Sequence, residues 1–526
     1  MIREDFEFES YAKPLSFSTT MRNPNRITGF LNCLLPFEGM ILTDDLIMKI
    51  VHSIIKNKLY RPVYVGKITS IKNAFDEEDG KLTDREVREI IKCSPQKHKE
   101  KGFSAGWPSR FDTWFKLPKE FGFVFYEMGL AVMISSVGHM LIDAFNEVPV
   151  NELKIQNVFL NSMMKYQTDN PFRKNINSNK PLGLLLNVIK LLEEDKEIKS
   201  PGIFKKELSL FICWPDNNSH SLYEMIKGIR KSQRFNYSDE YMYDLCLTLL
   251  VASDKRKRFK INQICGEAVD EYIRKMRITG VVSLRGNGRF LDVNSFEKEK
   301  VDYVLNNYSK VEEFSSKEKY FAYIGKIDSN IMEIKEMKFE LQTDLRKKKL
   351  KEYSEAYSSS IICDELKLLC GRRSESKHEM FRFIPAPTRL EFLTSIAILQ
   401  KLKDVDVNPN YVIDDEGMPI FTALGNNADI VCKTSESLDS LVEVTLMCGR
   451  QDQVNNEIIP IRRHLIEYND NVKKAFSLFI APVIHSDTME LTQWYKHKDS
   501  IDIIPLTIIE FLDNLSNCNK MIDLLK

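Results

Sequence analysis

The chain has 526 residues, of which 43% are hydrophobic and 29% charged, with 21 glycines and 19 prolines. Single hydrophobic cores stop growing at roughly 250–300 residues, so this length predicts several domains, and the composition excludes a collagen-like repeat or a wholly disordered chain. The 75 basic residues balance the 75 acidic ones, so a polyanionic partner would have to bind local basic patches rather than an overall positive field.

The start of the sequence is acidic and lacks the basic and then apolar order of a secretory signal peptide. The sequence contains no run of about 18 apolar residues, which predicts no membrane partner and a soluble, cytoplasmic protein. The 10 cysteines are scattered and never occur as Cys-x-x-Cys, a distribution that argues against a zinc ribbon or a disulfide framework.

The N-terminal part of the chain combines a polar arm with helices and hairpins. The arm lies at residues 16–26 and precedes an apolar-periodic stretch at 45–55 that predicts a helix. Residues 121–134 contain two strand-like runs, and a capped helix is predicted to begin at Ser135 or Ser136. The pattern therefore predicts a hairpin that leads into a helix.

A second hairpin is predicted at residues 280–293, directly after a helix at 266–277. The Gly-Asn-Gly sequence at 286–288 lies between two alternating apolar runs and indicates a tight turn, because such turns require positive φ. A helix followed by a basic-tipped hairpin is typical of a winged helix, although small hairpins also follow helices in proteins that bind nothing. We predict that residues 1–300 are a DNA-recognition region of winged-helix character.

A charged segment without proline follows at residues 311–378 and predicts a long solvated helical linker over residues 301–378. Prolines at 385 and 387 then interrupt the chain, and beyond them helices and strands alternate. The last domain is therefore predicted to span residues 379–526.

The residues that suggest chemistry lie in this last domain. Thr388 is the predicted cap of a helix that has Glu391 in its first turn. A turn then places Asp429 at the start of a strand, and Glu443 interrupts the next apolar strand, with Thr445 on the same face. If these strands are neighbours, Asp429 and Glu443 converge, and paired carboxylates suit Mg²⁺, which can activate water and polarise a phosphoryl group.

The remaining pattern predicts a helix around residues 456–465, a buried strand at 475–481, a strand at 501–505 and a closing helix from about residue 507. The order in this domain is then helix, strand, strand, helix, strand, strand, helix, which resembles the α/β/α core of PD-(D/E)xK nucleases. The expected fold class is multi-domain α+β, with a mainly helical winged-helix-like recognition region, a helical linker and a C-terminal nuclease core.

Short motifs along nearly the whole chain support a more specific resemblance. Upstream they are the polar arm at 16–26, Gly-Phe-Val-Phe at 122–125, Asn-Ser-Asn-Lys-Pro-Leu-Gly at 177–183 and Gly-Val-Val-Ser-Leu-Arg-Gly-Asn at 280–287. In the last domain they are Val-Ile-Asp-Asp at 412–415, Leu-Gly-Asn-Asn-Ala-Asp at 424–429, Glu-Val-Thr at 443–445, Arg-His-Leu at 463–465, Phe-Ile-Ala-Pro at 479–482 and Ile-Pro-Leu at 504–506. In this order they resemble the AlwI-like type IIS restriction endonucleases, the group that includes natural nicking endonucleases.

The resemblance implies a Mg²⁺-dependent enzyme that hydrolyses double-stranded DNA outside an asymmetric recognition sequence, with Mn²⁺ or Ca²⁺ as other ions expected to bind. It also implies roles for residues of this sequence. Asp429, Glu443 and the carbonyl of Val444 would hold the metal ion, and Glu391 and Glu457 match the accessory acidic positions of the family.

The residue that departs from the wider superfamily is Thr445, which stands where lysine is usual. The AlwI-like group also lacks this lysine, so the departure does not predict an inactive protein. Another group would orient the attacking water: Glu457, Gln453, His464 or the water of a second metal ion. Glu391, Glu457 and His464 also have structural interpretations, such as a favourable interaction between Glu391 and a helix dipole.

Specific reading of DNA needs phosphate contacts for register and side chains at base edges for sequence. The candidates are polar or basic residues of the arm, the helix and the hairpin, and the cluster at 255–258 is expected to contact phosphate rather than bases. The predicted DNA-binding residues are Arg22, Asn23, Arg26, Arg110, Lys255, Arg256, Arg258, Arg274, Lys275, Arg277, Arg285 and Arg289.

One metal site cuts one strand, so double-strand cleavage requires a second catalytic domain, from transient homodimerisation or from a smaller partner subunit. A strand-specific nicking endonuclease and the large subunit of a heterodimeric enzyme are therefore alternatives. A further alternative is a non-catalytic winged-helix DNA-binding protein, which differs only at Asp429 and Glu443. The sequence has no G-x-x-x-x-G-K-[ST] loop and no H-E-x-x-H pair, which disfavours an ATP-driven enzyme and a zinc hydrolase. The family implies a prokaryotic restriction–modification system.

Overall fold

The structure of the chain, a computed structural model, divides into two compact units. The first unit comprises Met1–Lys72 and Leu82–Glu336, and the second comprises Asn73–Lys81 and Met337–Lys526. A search of the described residues found no helix long and apolar enough to cross a membrane. The described residues are 14–15, 17, 26–76, 81–147, 150–173, 175–198, 200–250, 259–334, 342–371, 375–378, 380–423, 427–435 and 438–525.

The first unit is built mainly from helices whose apolar sides form its core. In α2 (Asp44–Lys56), Thr43 caps the first turn, and Ile47, Ile50 and Ile54 are buried at helical spacing, which confirms the helix predicted here. The other helices up to residue 336 are α1 (Arg26–Leu34), α3 (Thr69–Asp76), α4 (Asp84–Cys93), α5 (Trp107–Glu120), α6 (Ser136–Asn146), α7 (Glu152–Lys165), α8 (Pro181–Glu194), α9 (Leu208–Cys213), α10 (Ser219–Gln233), α11 (Asp239–Leu249), α12 (Ala268–Arg277), α13 (Lys298–Tyr308), α14 (Lys317–Ile324) and α15 (Ser329–Glu333).

Hairpins occur at both predicted places. β1 (Val124–Phe125) and β2 (Met133–Ile134) pair antiparallel and lead into α6, which Ser135 caps. β4 (Val282–Arg285) and β5 (Phe290–Val293) pair directly after α12, and β3 (Ile203–Phe204) completes a small sheet in the order β3-β5-β4. The turn residues at 286, 287 and 288 have φ values of 58°, 56° and 80°, as the tight turn requires.

The second unit is built on a mixed sheet. Its strands are β6 (Val405–Pro409), β9 (Ile430–Thr434), β10 (Asp439–Val444), β11 (Ala475–Ala481) and β12 (Ile503–Thr507). Among the described residues they lie in the order β12-β11-β10-β9-β6. Strands β12, β11 and β10 are parallel to one another, and β9 runs antiparallel to both β10 and β6. A separate hairpin consists of β7 (Tyr411–Ile413) and β8 (Pro419–Ala423).

Helices cover both faces of this sheet. Along β11, Phe476, Leu478 and Ile480 point to one apolar core, whereas Phe479 and Ala481 point to the other, as the two-residue period of a strand requires. The first core includes α16 (Thr343–Ala356), α17 (Ser359–Leu369), α18 (Ala386–Lys401) and α22 (Ile508–Asn517). The second includes α20 (Ile459–Asn471) and α21 (Ser486–Asp499), and a short helix α19 (Arg450–Asp452) and a π-helical turn at Gln453–Ile458 lead into α20.

The start of α18 differs from the sequence-based expectation. The helix begins at Ala386, with Pro385 as its N-cap and a second proline in its first turn. Proline has the backbone φ of a helix and lacks only an N–H that the first turn leaves unpaired, so it is well suited to this position. The prediction that Thr388 is the cap is therefore wrong, and Glu391 lies beyond the first turn.

The segment predicted as a solvated linker is largely helical, but its second half belongs to the core of the second unit. Leu350 and Tyr353 of α16 and Ile362 and Leu366 of α17 are buried in the core that α18 also forms. The charged residues of these helices cover only their outer faces. The structure also contains β6, the β7–β8 hairpin and α21, which the sequence analysis did not assign; the sparse apolar residues of α21 gave little periodic signal.

Candidate active site

Two carboxylates meet at adjacent ends of β9 and β10. Asp429 directly precedes β9, and Glu443 lies near the end of β10, next to the paired residues Val442 and Ile430. The backbone N–H of Asp429 donates to Glu443 Oε2 at 3.3 Å, and the N–H of Val444 donates to Asp429 Oδ2 at 2.7 Å. The structure thus brings together the three residues to which the family resemblance assigned metal binding.

A histidine holds the second oxygen of Glu443. Glu443 lies on the same face of β10 as Leu441, which packs against α20. On α20, His464 Nδ1 lies 3.0 Å from Glu443 Oε1, and it donates this hydrogen bond in the ring form that carries the proton on Nδ1. His464 Nε2 is buried and has no hydrogen-bond partner among the residues that the structure describes.

Glu457, on the π-helical turn before α20, is the third carboxylate of the site. Burial raises the pKa of Glu457 to about 7, and the charge of Glu443 adds to this rise, whereas a hydrogen bond with the Thr445 side chain opposes it. Thr445 Oγ1 also accepts from the N–H of Met447 at 3.0 Å. Thr445 therefore offers its hydroxyl to a neighbouring carboxyl group.

The electrostatics of the cluster fit a cation. Burial, and then the charges of Glu443 and Glu457, raise the pKa of Asp429 well above its usual range, while the N–H of Val444 opposes the shift. Carboxylates that repel one another in this way favour a bound cation, and the oxygen-only donors of Asp429, Glu443 and the Val444 carbonyl suit Mg²⁺. Among the described residues, no group of three or more His, Cys, Asp or Glu side chains has metal-binding geometry.

Glu391, an accessory acidic position in the sequence analysis, has a different environment. Its side chain is buried, and the N–H of Ala423 donates to its carboxylate, at 3.0 Å to Oε2 and 3.3 Å to Oε1. Ala423 ends β8, and residues 424–426, which follow it, lie outside the described part of the chain. Glu391 therefore fixes the end of the strand that precedes Asp429 in sequence.

Gln453, one candidate for orienting the attacking water, is fully engaged in structural hydrogen bonds. Its buried amide nitrogen donates to the carbonyls of Met447 at 3.1 Å and Val483 at 2.6 Å. Its amide oxygen accepts from Thr488 Oγ1 at 3.0 Å. Of the side chains predicted to orient the attacking water, Glu457 and His464 therefore remain candidates.

Two of the predicted DNA-binding residues in the N-terminal part of the chain pack against aromatic rings. Arg110 stacks over the ring of Tyr60 at 4.8 Å, and its NH1 lies 2.8 Å from His98 Nε2. Arg26 is exposed, lies over Phe30 at 5.8 Å and donates from NH2 to the carbonyl of Leu59 at 2.6 Å. The predicted residues Arg22, Asn23, Lys255, Arg256 and Arg258 lie outside the described part of the chain.

The basic residues of α12 are less accessible than the sequence suggested. Lys275 has no exposed surface, and its Nζ lies 3.3 Å from Glu271 Oε2, so its predicted DNA contact is corrected to a buried ion pair within the unit. Arg274 and Arg277 are half-buried. The i,i+4 spacing of Glu271 and Lys275 is typical of a solvated surface pair, and only the tertiary packing buries it.

The two arginines of the second hairpin have different environments. Arg285 Nε donates to Asp292 Oδ2 at 2.6 Å and NH2 donates to the carbonyl of Val293 at 2.8 Å, so Arg285 braces the hairpin across its strands. Arg289 is exposed at the tip and donates from Nε to the carbonyl of Gly286 at 3.1 Å. Of the two arginines predicted to contact DNA here, Arg289 is the one exposed to solvent.

The structure also exposes polar residues that the sequence analysis overlooked. A π-helical turn at Asn262–Glu267 precedes α12, and Asn262, Gln263 and Glu267 are exposed on it. All the DNA contacts predicted in this region were basic side chains. The sequence feature that could have indicated this turn is the pair of amide residues, Asn262 and Gln263, just before a helix that leads into a hairpin.

Comparison with known families gives one match over most of the chain. The sequence model described as AlwI restriction endonuclease matches residues 119–346 and 323–513. The matched regions include α12 with its hairpin and the site at Asp429 and Glu443. Comparison with curated proteins gave no match.

The chain is also similar to solved structures of restriction enzymes. It is 24% identical to the small subunit of the heterodimeric restriction endonuclease R.BspD6I, over 30% of this chain and 77% of that chain, with a TM-score of 0.25. It is 11% identical to the BpuJ1 endonuclease binding domain in complex with modified DNA, over 60% of this chain and 96% of that chain, with a TM-score of 0.36. It is 10% identical to restriction endonuclease FokI, over 93% of this chain and 97% of that chain, with a TM-score of 0.25. The family match over residues 119–346 and 323–513 is what assigns the chain.

Proposed function

The chain belongs to the AlwI restriction endonuclease family, and from this membership and the acidic site we propose that it is a Mg²⁺-dependent type IIS restriction endonuclease. In this proposal the first unit recognises an asymmetric sequence in double-stranded DNA, and the second hydrolyses phosphodiester bonds outside that sequence. The observation that supports the proposal most directly is the linkage of Asp429 and Glu443 by backbone hydrogen bonds at the ends of β9 and β10. The direct test is Mg²⁺-dependent cleavage of plasmid DNA, followed by sequencing of both cut strands.

Asp429, Glu443 and the Val444 carbonyl would hold the ion. When bound, Mg²⁺ polarises a phosphoryl oxygen and lowers the pKa of coordinated water. The chain itself supplies the positioning: the N–H of Val444 fixes the Asp429 carboxylate, and His464 fixes the Glu443 carboxylate. A site whose donors are already held in place loses little free energy to reorganisation when it acts.

Glu457 is the proposed general base. Its pKa of about 7 lies near the pH at which such an enzyme works, so its carboxylate is available to accept a proton from the attacking water. Thr445, through the hydrogen bond with Glu457, would orient that carboxylate. His464 is assigned a positioning role, because its Nδ1 is already committed to Glu443.

Cutting of both strands would need a second catalytic domain, since the chain has one such acidic site among its described residues. We propose that a second copy of this chain or a smaller partner subunit supplies it during cleavage. A single copy acting alone would produce nicks in one strand. The plasmid test separates these outcomes, because nicked circles and linear molecules migrate differently.

The substitution His464→Ala is expected to raise the Mg²⁺ concentration for half-maximal cleavage by about 10- to 100-fold, because Glu443 loses the hydrogen bond that orients it. Initial cleavage rates over a Mg²⁺ titration give this value. His497→Ala is the matched control, since His497 is an exposed histidine on α21, and it should leave the titration unchanged. An unaltered Mg²⁺ dependence in the His464 variant would remove its positioning role.

The substitution Arg289→Ala is expected to weaken binding to all DNA sequences alike, because an exposed arginine at the hairpin tip is suited to a phosphate contact. The slope of log affinity against log salt concentration should fall by about 1. Gel-shift titrations at several salt concentrations measure the slope. Arg85→Ala, on the exposed side of α4, is the control. If both variants have the wild-type slope, the hairpin tip does not contact phosphate.

A further inference from the structure

The helix before the second hairpin is most exposed at its start. Asn262, Gln263 and Glu267 on the π-helical turn are exposed, whereas Tyr272 and Lys275 farther along α12 are buried. A macromolecule that approaches the start of this helix from solvent therefore meets two side-chain amides and a carboxylate, whereas Arg274 and Arg277 near its other end are half-buried. Single π-helical turns inside helices occur frequently at functional sites.

The π-helical turn also holds one of these amides in place. Asn262 Nδ2 donates to Glu267 Oε1 at 3.3 Å, so the side chain folds back along the turn. Gly266 leaves the room for this arrangement, because a Cβ atom there would lie 2.7 Å from Asn262 Oδ1. Glu267 thus holds the Asn262 amide in place, and Glu267 itself need not contact any ligand.

Gln263 and Glu267 face a large cleft of the first unit. Its volume is about 1230 Å³, and its lining carries both signs of charge, with Lys101, Lys116 and Lys119 beside Glu100, Glu120 and Glu127. The Gln263 side chain forms no hydrogen bond with other residues in the described part of the chain, so its donor and acceptor are both available. A primary amide offers the two groups side by side, which is the pattern that pairs with N6 and N7 of adenine in the major groove.

From these observations we infer that Asn262 and Gln263 determine sequence specificity by reading base edges in the major groove, with Gln263 reading an adenine. The inference rests on the proposed function and adds to it the residues that select the DNA sequence. Its geometry matches the general rule that the N-terminal residues of a recognition helix contact bases. It places the specific contacts on neutral amides and leaves phosphate contacts to basic residues such as Arg289.

The test is a binding selection of the full chain against a random double-stranded DNA library with chelator present, so that nothing is cut. The wild type is expected to enrich one short motif. Gln263→Ala should enrich the same motif with one A·T position lost, and its preference for that base pair should fall by about 5- to 150-fold. Gln263→Glu should shift the preference at that position toward cytosine, because a carboxylate accepts from the cytosine amino group.

Two further variants separate base reading from a loss of folding. Gly266→Ala only has to displace the flexible end of Asn262, so it should fold normally yet relax a motif position next to the one that Gln263 reads. Gln233→Ala, an exposed glutamine at the end of α10, is the matched control and should keep the full motif. An unchanged motif in the Gln263 and Gly266 variants, an equal loss of affinity for all sequences, or no motif for the wild type would each overturn the inference. A wild type that enriches a motif but cuts nothing with Mg²⁺ would instead contradict the proposed nuclease function alone.

Discussion

The substitutions Asp429→Asn and Glu443→Gln are expected to lower the cleavage rate by about 10³-fold or more while leaving DNA binding nearly intact. Both changes keep the size of the side chain and an oxygen that can accept the existing backbone hydrogen bonds. What they remove is the negative charge that would hold the metal ion. Single-turnover cleavage with Mg²⁺ and gel shifts with chelator measure the two activities separately.

The stability of Asp429→Asn provides a second measurement with a definite sign. Burial and the charge of Glu443 raise the pKa of Asp429 in the folded chain, so the folded state binds the proton more tightly than the unfolded state does. The stability of the metal-free wild type should therefore fall as pH rises above about 4, and the asparagine variant should avoid this loss. Its Tm at neutral pH with chelator should equal or exceed that of the wild type.

The control for this prediction is Asp470→Asn, an exposed aspartate on α20, which should change neither cleavage nor Tm. A lower Tm together with equal losses of cleavage and binding in the Asp429 and Glu443 variants would mean that these carboxylates are structural. The expected combination, lost cleavage with retained binding and retained stability, is characteristic of functional residues that are held at some cost to the fold.

The substitution Glu457→Gln is expected to lower the cleavage rate by about 10²- to 10⁴-fold and to change its pH dependence. In the wild type, the rate should rise with pH as Glu457 loses its proton. Burial raises the pKa of Glu457 to about 7, and bound Mg²⁺ favours the carboxylate, so the midpoint of the rise should lie at or below about pH 7. Single-turnover rates at saturating Mg²⁺ and several pH values, for both proteins, measure the profile.

The glutamine variant should lack the rising limb that Glu457 produces, because glutamine does not titrate in this range. Glu467→Gln, at an exposed position on α20, is the matched control and should keep the wild-type rate and profile. A Glu457 variant with the wild-type profile would show that another group accepts the proton, and His464 Nε2, buried without a partner among the described residues, would then be the next candidate.

The convergence of Asp429 and Glu443 was predicted on the condition that their strands are neighbours, and the antiparallel pairing of β9 with β10 meets that condition. A carboxylate inside an apolar strand needs a partner, and the two-residue period of β10 determines which face Glu443 occupies. The tight turn at residues 286–288 was predictable for a similar reason, since few sequences tolerate positive φ at successive positions. The family match confirms the resemblance that the ordered motifs had suggested.

Features that depend on tertiary packing could not be predicted from the local sequence. Nothing in the local sequence distinguishes the buried pair of Glu271 and Lys275 from a solvated one. The engagement of Gln453 by three partners depends on loops and helices that are distant in sequence. Likewise, the charged sequence of α16 gave no sign that one side of the helix joins the core of the second unit.

The most direct test of the central proposal is incubation of the full chain with supercoiled plasmid, in parallel with Mg²⁺ and with chelator, followed by run-off sequencing of both strands. The expected result is Mg²⁺-dependent cleavage at a fixed distance from one short asymmetric sequence. Linear products would indicate that a second copy of the chain completes the reaction, whereas open circles alone would indicate a nicking enzyme or a missing partner subunit. Intact plasmid with Mg²⁺, alongside a salt-sensitive gel shift, would contradict the proposal and favour a non-catalytic DNA-binding protein.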